Sequence, residues 1–189
     1  MIPEEPNDLT DILANFVHVL GLDRARAYEY ISEPIGIFEA RAEIGGTAKR
    51  FPSYKNPFFI TVNAEKEPIS YLTYHTKEAS TYRRGERRLI PVGNEFVETT
   101  ITFGCDMDVG SKGLDYLIDI PLLGRDDQMV GKITADNIRK DPKGKEHLLS
   151  ALLGEKRPQM QALANMAARA IQRVQDIRLD CAHKVGNRF

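Results

Sequence analysis

The chain has 189 residues, 42% hydrophobic and 28% charged, with a formal net charge of -1. That length buries a real core and suits one domain with appendages better than two. The balanced charge gives no electrostatic case for nucleic acid, and no apolar run approaches the ~20 residues of a membrane span. The acidic, proline-bearing start, MIPEEPNDL, is the opposite of a secretion signal. The 2 cysteines, Cys105 and Cys181, lie far apart in sequence. They point to a reducing, cytoplasmic compartment and to no disulfide framework.

In chain order, Met1 to Pro6 is a lead-in, and Asn7 or Asp8 caps a helix running to about Leu20. Leu9, Ile12, Leu13, Phe16 and Leu20 share one face of it, and Gly21 is a natural stop. Arg24 to Ile31 (RARAYEYI) follows, then a turn at Ser32 to Gly36. Phe38, Ala40, Ala42 and Ile44 alternate with Glu39, Arg41 and Glu43, which predicts a strand. Thr47 to Asn56 reads as loop, and Phe58 to Val62 as a short strand. Glu67 to Tyr82 is ambiguous. Pro68 near the start, with Tyr71, Leu72, His75, Ala79 and Tyr82, suits a helix, whereas its Tyr and Thr content suits a strand. Arg83 to Arg88 (RRGERR) is a charged turn, and Phe96 to Phe103 another strand.

The stretch from Leu114 to Asn137 organises the chain. Leu114, Tyr116, Ile118, Ile120 and Leu122 alternate with Asp115, Leu117, Asp119 and Pro121. GRDDQ, Gly124 to Gln128, is a polar turn. Met129, Gly131, Ile133 and Ala135 then alternate with Val130, Lys132, Thr134 and Asp136. Two alternating runs around a short turn predict an antiparallel hairpin with Ile118, Ile120 and Ile133 buried. From Asp136 the chain is charged loop, with a short helix over Leu148 to Gly154. Pro158 starts a last helix. Met160, Ala164, Ala167, Ile171 and Val174 form a stripe at steps of four and three, continued by Ile177, Cys181 and Val185.

The hairpin, IDIPLL followed by MVGKITADN, resembles the most recognisable hairpin of GAF domains. The opening order of helix, LGLDRARAYEY and strand, and the final LANMAARAI, resemble the same family. The resemblance implies an α+β fold: a PAS-related, GAF-like single antiparallel sheet of about five to six strands with terminal helices on one face. One such domain would fill residues 1–189, its core at about 7–178 and a helical extension or linker at 179–189. It also implies helices in the ambiguous middle and a small-molecule pocket on the sheet's other face. The candidate ligand-binding residues, by that analogy, are Tyr71, Tyr74, His75, Tyr82, Arg84 and Cys105.

Each candidate has a plain alternative. His75 among Tyr71, Tyr74 and Tyr82 suits a planar or anionic ligand, or ordinary packing. Arg83, Arg84, Arg87 and Arg88 suit a phosphate or carboxylate at a pocket mouth, or a solvated turn. Cys105 is favoured as structural, since neighbouring Asp106 raises a thiol pKa. Bilin-attaching GAF domains carry His after the cysteine, and methionine-sulfoxide reductases of this fold use several cysteines. Cys181 and His183 point about 200° apart on a helix and make a poor ligand pair. His18 reads as a rim or surface residue. Asp115 and Asp119 are ~13 Å apart along a strand and read as its solvent-facing half.

No phosphate-binding, dinucleotide-binding, zinc-protease or Ser/His/Asp pattern occurs, so no catalytic or metal-ligating residue is assigned. The motif of cyclic-nucleotide-binding GAF domains cannot be placed, and the cofactor is left unknown. The expectation is a non-enzymatic sensory or regulatory domain that binds a small molecule, dimerises through its terminal helices, or both. The alternatives are a thiol reductase using Cys105 and a ligand-free dimerisation module.

Overall fold

The computed structural model describes residues 8–32, 36–45, 59–102, 116–136, 149–150 and 152–186. The expectations for the lead-in, Thr47 to Asn56, Cys105, Asp115 and the charged segment after Asp136 fall outside the described residues, as do those for the side chains of His183 and Val185. Helix α1 (Asp8–Leu20) turns Leu13, Phe16 and Leu20 fully inward. It ends where expected, with Gly21 left-handed at φ 66° and the Leu22 N–H donating to the Val17 carbonyl at 3.0 Å.

Strands β1 (Arg24–Ile31), β2 (Ile37–Gly45), β3 (Phe59–Thr61), β4 (Ser80–Arg83), β7 (Tyr116–Leu123) and β8 (Met129–Asp136) form one sheet. Its order is β3-β2-β1-β8-β7-β4, and every neighbouring pair is antiparallel. The β7–β8 hairpin is the predicted one, with Ile120 opposite Ile133 and both at the centre of the core. Its turn carries Asp126 and Asp127 at φ 56° and 54°, a left-handed pair that matches strand twist.

One face of the sheet packs against α1 and the last helix, α3 (Arg157–Gly186). Ala25, Ala27, Ile118, Ile120, Leu122 and Ile133 meet Leu13, Phe16, Met160, Ala164, Ala167 and Ile171 there. A Cβ on Gly131 would fall on the Tyr28 carbonyl oxygen and 3.1 Å from Ile171 Cδ1. That glycine therefore sets how closely α3 approaches the sheet.

Two bulges alter the expected alternation. Ala27 pairs with Ala42 but Tyr28 pairs with Ala40, so Arg41 is the extra residue. Phe38 and Ala40 consequently join a cluster on the far face, whereas Ala42 and Ile44 join the helical core. Val130 is the extra residue of β8, which leaves Met129 on the far face with Leu123. A single-face reading of either strand cannot survive an inserted residue.

The middle of the chain resolves into a helix and three strands. Helix α2 (Pro68–Thr76) starts on a proline and stops at Lys77, which is left-handed at φ 54°. Ala79 and Tyr82 therefore lie beyond the helix, and Tyr82 belongs to β4. Arg87 and Arg88 are not turn residues. They open strand β5 (Arg87–Val92), which pairs with β6 (Glu95–Thr100) as a separate two-stranded ribbon. In α3 the stripe is covered only as far as Ile171; Val174 is 44% exposed and Ile177 60%. Leu149, Ser150, Leu152 and Leu153 are helical, as predicted.

Candidate functional site

The far face of the sheet is polar and yet buried. Asp119, read from the alternation as solvent-facing, is 0% exposed. Its Oδ2 accepts from Lys132 Nζ at 3.0 Å and from Thr73 Oγ1 at 2.6 Å, and its Oδ1 accepts from Thr134 Oγ1. Lys132, 2% exposed, also donates to Ser70 Oγ at 2.8 Å. Its ammonium lies 5.3 Å from the Tyr28 ring centroid and 5.2 Å from that of Phe38. Helix α2 supplies the cover. Ser70 and Thr73 bond the network, while Ile69 and Leu72 pack with Tyr82, Ile90 and Leu117.

The charged lining continues across β1 and β2. Arg24 donates to Asp136 Oδ2 at 2.9 and 2.6 Å, and Arg26 bridges the Tyr28 hydroxyl and Glu43. Burial raises the pKa of Glu43 and of Asp136 against the opposing pull of Arg26 and Arg24. Burial likewise pushes the Tyr28 phenol up to about 12.

A cleft of about 760 Å³ opens at the end of the sheet where β1 leaves and β8 begins. That volume lies within the usual range for small-molecule sites. Tyr74 and His75 of α2, with Lys77 at its C-terminal end, form one wall, and Gln172, Gln175 and Arg178 of α3 form the other. Glu29 and Tyr30 lie between them. The rings of Tyr30 and Tyr74 are 4.9 Å apart, and His75 meets Tyr74 edge-on at 5.1 Å. Burial and the Tyr74 hydroxyl raise the Tyr30 pKa.

No protein-family model matches the chain, and no curated protein does. Solved structures match over most of its length. A GAF domain/HD domain protein from Geobacter sulfurreducens is 13% identical, with a TM-score of 0.58, over 89% of this chain and 92% of that one. A methyl-accepting chemotaxis protein segment is 12% identical, with a TM-score of 0.56, over 89% of both chains. The phycoerythrobilin-bound GAF domain of a cyanobacterial phytochrome is 19% identical, with a TM-score of 0.53, over 86% of this chain and 82% of that one.

The chain has the GAF fold. Within this fold the six candidate ligand residues do not converge. Tyr74 and His75 line the cleft. Tyr71 stacks on His75 at 4.2 Å, but its hydroxyl donates to the Pro91 carbonyl at 2.9 Å and so anchors the β5–β6 ribbon. Tyr82 is buried in a separate cluster beneath the Arg88 guanidinium, 4.6 Å from its centroid. Arg84 is half-buried in the turn between β4 and β5. Cys105 lies outside the described residues. Cys181 is exposed on α3.

Lys132, Glu29, Lys77 and Arg178 were not singled out in the sequence, and Asp119 was read as solvent-facing. Their strand members sit in the polar half of an alternating pattern, which normally marks solvent. The available signal was Ser70 and Thr73, small hydroxyl residues three apart among the apolar positions of α2. A helix face of that kind covers hydrogen-bonding groups rather than only carbon.

Proposed function

We propose that this chain is a sensory or regulatory domain of a signalling protein, with a small-molecule site in the cleft between α2 and α3. One observation carries the reading: the cleft is walled on one side by α3, a helix of 30 residues covered by the sheet only along its first half. An occupant there touches the helix that leaves the core, and its binding energy acts directly on how that helix sits. Beneath α2 the far face is already filled by Lys132, Asp119 and Phe38, whereas the cleft is open space. The neighbours support the reading, since one belongs to a chemotaxis protein and another holds phycoerythrobilin.

The chain functions as one domain and pairs with a second copy through its terminal helices. Val174, Ile177 and Cys181 continue the stripe of α3 at helical spacing, exposed past the point where the sheet covers it. A bundle built with α1 buries them. Two experiments test the proposal. Native mass spectrometry of protein purified from cells is expected to find a retained small molecule, lost in Tyr74→Ala. Sedimentation at micromolar concentration is expected to give a dimer that Ile177→Asp dissociates. Ligand-free protein in every preparation would remove the sensory reading, and a wild-type monomer would remove the pairing.

A further inference from the structure

The cleft's electrostatics narrow its ligand and give it a device. Glu29 is 3% exposed, so its carboxylate must be neutralised where it stands. Two guanidiniums do so. Arg41, re-aimed by the β2 bulge, donates at 2.5 Å, and Arg178 Nη1 from α3 donates at 3.0 Å to each oxygen. The two are not equivalent. The Arg41 side chain is 26% exposed and comes from a paired strand, whereas the Arg178 side chain is 52% exposed and comes from the half-covered helix. Withdrawing Arg178 leaves Glu29 paired with Arg41, which it shares with Glu39 at 2.6 Å, so Glu29 loses part of its cover without being stranded.

Lys77 completes the setting. Its ammonium donates to a backbone carbonyl, Asp127 O at 2.7 Å, rather than to a carboxylate. Around the cleft three cations, Arg41, Lys77 and Arg178, therefore stand against two carboxylates, Glu29 and the Glu39 that Arg41 also bridges at 2.6 Å. One spare positive charge beside the Tyr30 and Tyr74 rings suits one negative charge on a flat molecule. Gln172 and Gln175 offer amides for its polar edge, although Gln172 already donates to Asp176 Oδ1 and Gln175 to the Tyr30 carbonyl, each at 3.2 Å.

We propose that the cleft binds an aromatic monocarboxylate, and that the carboxylate draws Arg178 off Glu29, loosening α3 from β1. The inference rests on the reading of the cleft as a ligand site and adds the ligand class and the moving part. Binding and motion are linked through Nη1, which makes both bonds to Glu29: a ligand carboxylate that takes the Nη1 hydrogens takes them from Glu29.

The test uses the full chain with 2-naphthoate and its uncharged counterpart 2-naphthamide. Calorimetry at pH 7 is expected to give 2-naphthoate at least about tenfold tighter binding, the worth of one charge-assisted contact. Lys77→Asn keeps a residue that tolerates the left-handed backbone, and Arg178→Gln alters a half-exposed position. Each is expected to remove that tenfold preference for the carboxylate over the amide. Hydrogen exchange then reads the device: 2-naphthoate speeds exchange in α3 beyond Gln175, and Arg178→Gln shows the faster exchange without ligand.

Equal affinity for the two probes overturns the carboxylate assignment, and binding without a change in α3 exchange overturns the device. A neutral molecule retained from cells, displaced by Tyr74→Ala but not by 2-naphthoate, overturns the ligand class and leaves the site standing. No retained molecule and no binding of either probe overturns both.

Discussion

Lys132→Met is the sharpest probe of the buried network. Lys132 and Asp119 are 2% and 0% exposed, with 3.0 Å between the ammonium nitrogen and the carboxylate oxygen. At an effective dielectric constant of about 20, that separation gives an attraction of about 5 kcal/mol. The substitution keeps side-chain length and removes the charge. Asp119 then keeps its two threonine donors but loses the cation that pairs with it among the described residues. Stranding a buried charge typically costs about 3–5 kcal/mol, a large share of the roughly 5–15 kcal/mol that holds a domain together. The melting temperature should fall by roughly 6–20 °C. Asp119→Asn should cost a similar amount by stranding the lysine. The double variant should cost at least about 2 kcal/mol less than the sum, because neither charge is left behind. Urea unfolding followed by far-ultraviolet circular dichroism measures all four corners. Single losses below about 1 kcal/mol, adding without coupling, would mean the pair is solvated and the far face is not a sealed polar layer.

Ile120→Ala should cost about 2–5 kcal/mol in chemical denaturation, since Ile120 is 1% exposed between both terminal helices and cannot be replaced by collapse of the sheet. Gly131→Ala should cost about 1–3 kcal/mol, because its methyl meets the Tyr28 carbonyl and Ile171, and Ile171→Ala should relieve only the second contact. Glu43 and Asp136 carry raised pKa values from burial, so the folded state holds their protons more tightly than the unfolded state. Their contribution to stability should therefore decline as pH rises from about 4 through the elevated folded-state values. Comparing urea midpoints of wild type and Glu43→Gln/Asp136→Asn across that window checks the sign, and a difference that grew in the opposite direction would refute it.

The parts of the fold written in simple periodicity were legible from sequence. The first helix, its glycine stop, the central hairpin and the covered part of the last helix each follow from apolar spacing and turn chemistry. What the sequence concealed has three physical causes. Bulges at Arg41 and Val130 insert one residue, and nothing in local propensity marks the insertion. The stretch ending at Tyr82 mixes helix and strand formers because it is both, with the break at a left-handed lysine rather than at a glycine. Asp119 and Lys132 looked solvated because alternation tells which side of a strand a residue faces, not what covers that side. The site was less legible than the fold. Tyr74 and His75 were visible as an aromatic cluster, but Glu29, Arg41 and Arg178 meet only through a bulge and a helix about 150 positions away, at |i−j| of 149.

The Asp119 network also constrains how this sequence can drift. Its members come from three separate elements: Ser70 and Thr73 from α2, Asp119 from β7, Lys132 and Thr134 from β8. A single change at either charge strands the other, at a cost near the whole margin of a marginal domain. Gradual replacement is thus blocked, while simultaneous exchange of the lysine and the aspartate for neutral residues is permitted. Homologues should therefore carry both charges or neither, with position 73 bearing a hydroxyl wherever the aspartate is kept. In descent, the five residues behave as one character.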